Sequence, residues 1–178
     1  MVLTKEDKIK DKSLRLVAEK MIIAARTAPK GRGRDHLVMA IAENNDIKAI
    51  AEKMKEIGKR SGANYFTRDA GCILEAPVLV LIGTRISSLG LINCGNCGFA
   101  DCEAKDEHPE IPCAFNTGDL GIAIGSAVSV AMDHRVDNRI MFTVGKAVLE
   151  LGMLDPEIRI IYGIPLSATS KNPFFDRK

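Results

Sequence analysis

A mixed helix–strand fold, of the α+β or α/β class, is predicted by three features of this 178-residue sequence. The run APVLVLIGTR at 76–85 is apolar, rich in β-branched residues and entered through a proline, the make-up of a strand covered on both faces. Segments with apolar residues at helical spacing lie on either side of it. The elements run in the order helix, strand, helix, strand, cysteine-rich stretch, two helices, strand.

Thr4-Lys5-Glu6-Asp7 has the form of a capping box and opens the first helix. Leu14, Val17, Met21, Ala24, Ala25 and Ala28 keep helical spacing until Pro29 stops the run. KGRGRDH (30–36) is a basic, glycine-rich loop, and LVMAIAE (37–43) reads as a short buried strand. After Asn44-Asn45-Asp46, a second helix carries Ile47, Ile50, Ala51, Met54 and Ile57 on one face and ends near Gly62. Beyond the 76–85 strand and the cysteine-rich stretch, TGDLGIAIGSAVSVAMDHR (117–135) is apolar almost all round, which predicts a central buried helix. Its Gly121, Gly125, Ser126 and Ala127 would let another backbone or a flat ligand approach. The next helix is expected after Asp137, with Ile140, Met141, Val144, Ala147, Val148 and Leu151 inward and Gly152 as its C-cap. EIRIIYGIP (157–165) is the last strand, and the polar tail LSATSKNPFFDRK carries two adjacent phenylalanines. With no linker and no internal repeat, the expected organisation is one domain over 1–178 with a cysteine-rich insert at 86–116.

Composition narrows the function classes. The 25 basic and 23 acidic residues leave a net charge of +2, and aromatics make up 4% of the chain, which together count against nucleic acid as a partner. No apolar run is long enough to cross a bilayer, so no membrane role is expected. The charged N-terminus MVLTKEDKIKDK lacks a secretory core, and the expected compartment is the cytoplasm. Disulfides rarely persist there, and an odd count of five cysteines suits a closed disulfide framework poorly.

Four of those cysteines, Cys94, Cys97, Cys102 and Cys113, fall within CGNCGFADCEAKDEHPEIPC at spacing C-x2-C-x4-C-x10-C. Clustered thiolates select soft metals, and zinc and iron–sulfur are the two readings. Structural zinc sites use two separated C-x2-C knuckles, of which only the first is present. Three ligands crowded into nine residues with a fourth further on is the habit of cluster sites, so spacing favours iron–sulfur and leaves zinc as the alternative. Gly95 and Gly98 permit the positive φ a wrapping loop needs, and Pro112 stiffens the approach to Cys113. His108 reads as an exposed loop residue within this segment, and Cys72, in the apolar context DAGCILEAP, as a packing cysteine. CGNCGFADCEAK resembles the four-iron motif of small iron–sulfur domains in anaerobic electron-transfer and corrinoid proteins. Over nearly its full length the chain resembles a family of uncharacterised proteins described as containing a ferredoxin domain, which implies a 4Fe–4S cluster on the four cysteines.

A second resemblance concerns the scaffold. AARTAPKGRGRDHLVMAIAE, APVLVLIGTR, GDLGIAIGSAVSVAM and LELGMLDPEIRIIYGIP are similar, in order and spacing, to core segments of FMN-dependent nitroreductases. That likeness implies an α+β, nitroreductase-like three-layer core, an intertwined homodimer with FMN at its interface, and Phe174 and Phe175 as an arm reaching onto a partner. The chain departs from the family in lacking its Arg-x-Ser-x-Arg phosphate grip, and Lys30 and Gly33 replace the Ser and Asn of its following loop. Arg26, Lys30, Gly31, Arg32 and Arg34 are the candidate cofactor-binding residues, since arginine forks and glycine-loop amides suit a phosphate; a solvated basic turn is the alternative. No catalytic set stands out. Asp133, His134 and Arg135 are adjacent on a helix and point apart, His134 is placed to cap that helix end, and His36 beside a strand carries no functional signal. The expected function is therefore an iron–sulfur redox protein, acting in electron transfer or flavin-linked reduction with a redox protein or small molecule as electron partner. The alternative is a zinc or cluster staple on a scaffold without flavin.

Overall fold

The computed structural model describes residues 3–175. Helix α1 (Glu6–Thr27) is followed by a single 3-10 turn (Gly31–Gly33), β1 (Leu37–Glu43), α2 (Asn44–Ser61), α3 (Asn64–Leu74) and β2 (Val78–Arg85). Then come α4 (Cys102–Asp106), α5 (Ala114–Asp133), β3 (Asp137–Asn138), α6 (Phe142–Leu151) and β4 (Ile158–Ser167). The strands form one antiparallel sheet in the order β1-β2-β4-β3. No helix among the described residues is long and apolar enough to cross a membrane.

Strand β2 explains the layering. Its Val78, Val80 and Ile82 point into a core shared with α1 and α5, through Leu14, Met21, Leu120 and Ile124. Leu79 and Leu81 point the other way, into a core with α2, α3 and α6, through Ile50, Met54, Ile73 and Val148. The result is an α+β three-layer sandwich, and it is why this strand is apolar at nearly every position. The second core is tight where α6 crosses the sheet. A Cβ on Gly145 would fall on the Ile161 carbonyl, and one on Gly83 would lie 2.8 Å from Ile158 Cγ2 and 2.9 Å from Ile161 Cγ1.

Several boundaries differ from expectation. Lys5, not Thr4, takes the extended N-cap position of α1, so the threonine side chain sits one residue too early to cap. Glu6 and Asp7 still place negative charge in the first turn, as the helix dipole favours. The second helix begins at Asn44 itself and ends against Gly62 at φ 71°. Helix α3 was not anticipated: its inward face is Phe66, Asp69, Ala70 and Ile73, and a buried aspartate conceals the apolar period. Helix α5 starts three residues earlier than its apolar run, directly after Cys113. It is not buried all round, because Ile122 and Met132 are exposed and Gly121 and Gly125 border open space. Its buried face does let a backbone approach: Ala123, Ala127 and Ala131 pack on α1, and Ser126 Oγ donates to Ala24 O at 2.9 Å. Around Asp137 the chain pairs as β3 before α6 begins at Phe142, so Ile140 lies half-exposed outside the helix and Leu151 is at the edge of the core. Phe174 is 1% exposed within its own chain, so this ring is not free to act as an arm. Phe175 beside it is exposed.

Candidate functional site

Two loops converge on the N-terminal end of α5. In the basic loop, Arg32 and Gly33 adopt φ of 55° and 68°, which turns the chain sharply after Pro29. Lys30 folds back on α1: its Nζ donates to the carbonyls of Ala25 (2.8 Å), Arg26 (2.6 Å) and Ala28 (2.7 Å), satisfying the end of that helix. Arg26 Nη1 donates to Asp35 Oδ2 at 2.6 Å. Burial pushes the Asp35 carboxyl up, but hydrogen bonds from Arg26 and from the Leu37 amide outweigh it and hold the group below the usual carboxylate range. The Gly31 N–H donates to both carboxylate oxygens of Asp119, at 3.0 and 3.1 Å. Arg32 Nη1 donates to Leu89 O (2.8 Å) and Gly90 O (3.3 Å), and Arg34 Nη1 to Leu89 O (3.4 Å). The basic loop thus ties helix α1, helix α5 and the start of the cysteine-rich stretch together.

The cysteine-rich stretch from 86 to 101 has no regular structure, and it turns at Gly90, Asn93, Gly95 and Gly98, all with positive φ. Gly98 N–H closes one of these turns on Gly95 O at 2.9 Å. Cys102 opens α4, which Asp101 caps by accepting from Ala104 N–H at 2.8 Å. Cys113 is the N-cap residue of α5 and is buried; Cys94, Cys97 and Cys102 are part-buried, and all five thiols are free. The stretch is fastened at its base, where Ser87 N–H donates to Asn116 Oδ1 at 2.8 Å. Ser88 Oγ donates to Asp106 Oδ1 at 2.6 Å, beside the buried Lys105 at 3.4 Å. Asn116 Nδ2 is buried with no hydrogen-bond partner among the described residues. His108 is half-exposed and stacks on Phe99 at 5.3 Å between ring centres.

The four cysteines fit an iron–sulfur cluster, or zinc, in the kind and number of donors and in the positive-φ glycines between them. Among the described residues, however, no three Cys, His, Asp or Glu side chains are gathered as a metal would need. Between the two loops lies a cleft of about 390 Å³, lined by Pro29, Lys30, Gly31, Asn96, Ala114, Phe115, Gly118, Asp119 and Ile122. Of the five expected cofactor-binding residues, Lys30 and Gly31 line this cleft, while Arg26, Arg32 and Arg34 are engaged in the contacts above. Asp119, Asn116 and Lys105 escaped the sequence reading. Asp119 did leave a signal, being the only charged residue between Ala114 and Met132.

Residues 110–177 match the family model described as "Uncharacterized protein containing a ferredoxin domain". That stretch includes Cys113 but not the other three cysteines of the cluster motif. An uncharacterized protein of Archaeoglobus fulgidus is 38% identical over 184 residues, covering 99% of this chain and 98% of its own. The chain belongs to this ferredoxin-domain family. Its fold is similar to that of a nitroreductase with bound FMN from Bacteroides fragilis, with a TM-score of 0.60 and 12% identity over 99% of this chain and 84% of that one. A BluB-like flavoprotein from Clostridium difficile gives a TM-score of 0.54 at 19% identity, over 96% and 86% of the two chains. NfrA2 of B. megaterium gives 0.53 at 14% identity over 88% of this chain, which spans only 58% of that protein's length. The fold is nitroreductase-like, as the scaffold segments imply. A description by a ferredoxin domain supports a redox role for the family.

Proposed function

We propose that the protein is an iron–sulfur redox protein, passing single electrons between a four-iron cluster on Cys94, Cys97, Cys102 and Cys113 and a flavin or small acceptor in the adjoining cleft. The observation that carries this reading is a shared wall: Asn96, between the first two cysteines, and Ala114, next to the fourth, both line the cleft. A metal serving only to staple the loop would need no such cleft beside it. When bound, thiolate-ligated iron supplies the one-electron chemistry. The chain's own residues shape the place where that chemistry occurs. Pro29, Phe115 and Ile122 give the cleft its apolar lining. Asp119, by accepting from Gly31, fixes the turn that carries Lys30 and Gly31 along the cleft wall. Arg32 and Arg34 hold the root of the cysteine-rich stretch through Leu89, and the buried Cys113 anchors its far end to α5.

Anaerobic purification followed by iron, sulfide and flavin analysis of one sample tests the proposal. Stoichiometric iron and sulfide, with a chromophore that dithionite bleaches reversibly, is the expected result. Zinc without sulfide, or a metal that never changes redox state, overturns it. The second reading is then a zinc or cluster staple on a scaffold without flavin, a reading favoured by the full engagement of Lys30 with α1. We also propose a homodimer in the reducing cytoplasm, joined across the open α5 face that carries Ile122 and Met132, with a redox protein or small molecule as electron partner. A monomer at micromolar concentration in analytical ultracentrifugation would refute the dimer.

A further inference from the structure

On the opposite core from the cysteine-rich stretch, α3, the segment after β3 and the C-terminal tail enclose a second cleft, of about 940 Å³. The tail is held in place to form it. Asn172 Nδ2 donates to Asp137 Oδ1 at 3.0 Å, Arg139 Nη1 donates to Phe174 O at 2.8 Å, and Phe174 is buried beneath. Arg68 and Arg139 line the cleft, with Glu75 on its wall and the buried Asp69 behind it. Asp69 orders Arg68, whose Nε and Nη2 reach its Oδ1 at 2.9 and 2.8 Å while Thr143 Oγ1 donates to its Oδ2 at 2.8 Å; Arg139, held by Phe174 O, brings its Nη1 to 3.9 Å from the same carboxylate. That leaves Nη1 of Arg68, and Nε and Nη2 of Arg139, with no hydrogen bond to the described residues. The Arg139 guanidinium also sits 5.2 Å from the centre of the exposed Phe175 ring. Cation and ring are therefore presented side by side, at a volume within the range of small-molecule sites.

We propose that this cleft binds a nucleotide-sized anion bearing an aromatic ring, with its phosphate on Arg68 and Arg139 and its ring on Phe175. Asp69 holds Arg68 by one edge and Phe174 O holds Arg139, so both guanidinium groups are fixed in place with N–H donors left over for an anion. Phe175 offers the other half of the ligand a flat apolar surface. The cysteine-rich stretch takes no part in this cleft, and the proposal stands whether or not a metal is bound.

Cys72 on the cleft wall gives a local readout. Its thiol is pushed up by burial and then by Asp69, so alkylation is run at alkaline pH, and peptide mass mapping separates it from the other four cysteines. The full chain is titrated calorimetrically with AMP, with adenosine and with inorganic phosphate. AMP is expected to bind saturably, more tightly than either fragment, and to slow alkylation of Cys72 but not of Cys113. Arg68→Gln should weaken AMP about tenfold, the value of one charge-assisted hydrogen bond. Phe175→Ala, at an exposed ring whose loss leaves the core intact, should weaken AMP and adenosine while sparing phosphate. Absence of saturable AMP binding, binding that leaves Cys72 equally reactive, or wild-type affinity in both variants would each overturn the proposal.

Discussion

Removing the Asp119 carboxylate should loosen the basic loop before it affects anything else. Asp119 is 7% exposed, and its two oxygens share the Gly31 N–H at 3.0 and 3.1 Å. Asp119→Ala deletes a charge-assisted acceptor and leaves a part-buried amide without one, which together cost about 2 kcal/mol. For a chain of this size that corresponds to a fall in Tm of about 4–8 °C. Asp119→Asn keeps an acceptor oxygen and should recover part of the loss. Thermal unfolding followed by circular dichroism measures both. The cleft predicts a second effect: with Gly31 released, Leu89, which stands where a Gly31 Cβ would point, loses its backing. Limited proteolysis should then cut within 86–101 sooner in the alanine variant than in the wild type. An Asp119→Ala protein with unchanged Tm and unchanged cleavage would refute the idea that this carboxylate joins the loops.

Other outcomes follow from the same structure. Gly145→Ala should destabilise by about 3 kcal/mol in urea titration, because its Cβ meets the Ile161 carbonyl and α6 must lift from β4. Lys30→Met removes the ammonium that serves three carbonyls and should lower stability by about 2 kcal/mol by the same titration. Cys72→Ser should leave the metal content of anaerobically purified protein unchanged, whereas Cys113→Ser should reduce it; equal loss in both would sink the ligand assignment. Asp35 has a folded pKa below its unfolded one, so its contribution is complete above about pH 4 and is lost as pH falls through the folded value. Asp35→Asn should accordingly lower the neutral plateau of the stability curve and flatten its acid side, and an unchanged plateau would refute the assignment.

Much of the scaffold could be read from the sequence because single residues carried unambiguous local physics. Pro29 ended α1, Gly62 and Gly152 ended α2 and α6 in left-handed conformations, and the β-branched run at 78–85 could only be a strand. What stayed hidden involved polar groups used inside the protein. Asp69 sits on the buried face of α3, where it accepts from its neighbour Arg68 and from Thr143 on α6, and a helix with a charged core position has no clean apolar period. The basic loop misled in the complementary way. Its composition suits an anion, yet Lys30 turns back onto the carbonyls that end α1, Asp35 takes Arg26, and Arg32 and Arg34 reach Leu89, an acceptor that only the fold brings near. The cysteine spacing was legible as donor chemistry, because ligand type and number are written in the sequence while convergence of side chains is not.

The two-sided apolar character of β2 has a consequence for how the sheet finds its alignment. Where one face of a strand is polar, sliding by one residue exposes the core and is self-correcting. Here a slide would exchange one apolar face for another, so polarity cannot police it. Shape does so instead. Gly83 lies opposite Ile161 in the β2–β4 pairing, and Gly163 opposite Leu81, each at a point where a neighbouring side chain already occupies the space a Cβ would take. Displaced by one position, Ile82 or Thr84 would be driven into Ile158 and Ile161, and Tyr162 or Ile164 into Val144. Two notches in adjacent strands thus act as a key that admits one alignment, and filling either with alanine should yield a sheet that still forms but no longer chooses its partner residues uniquely.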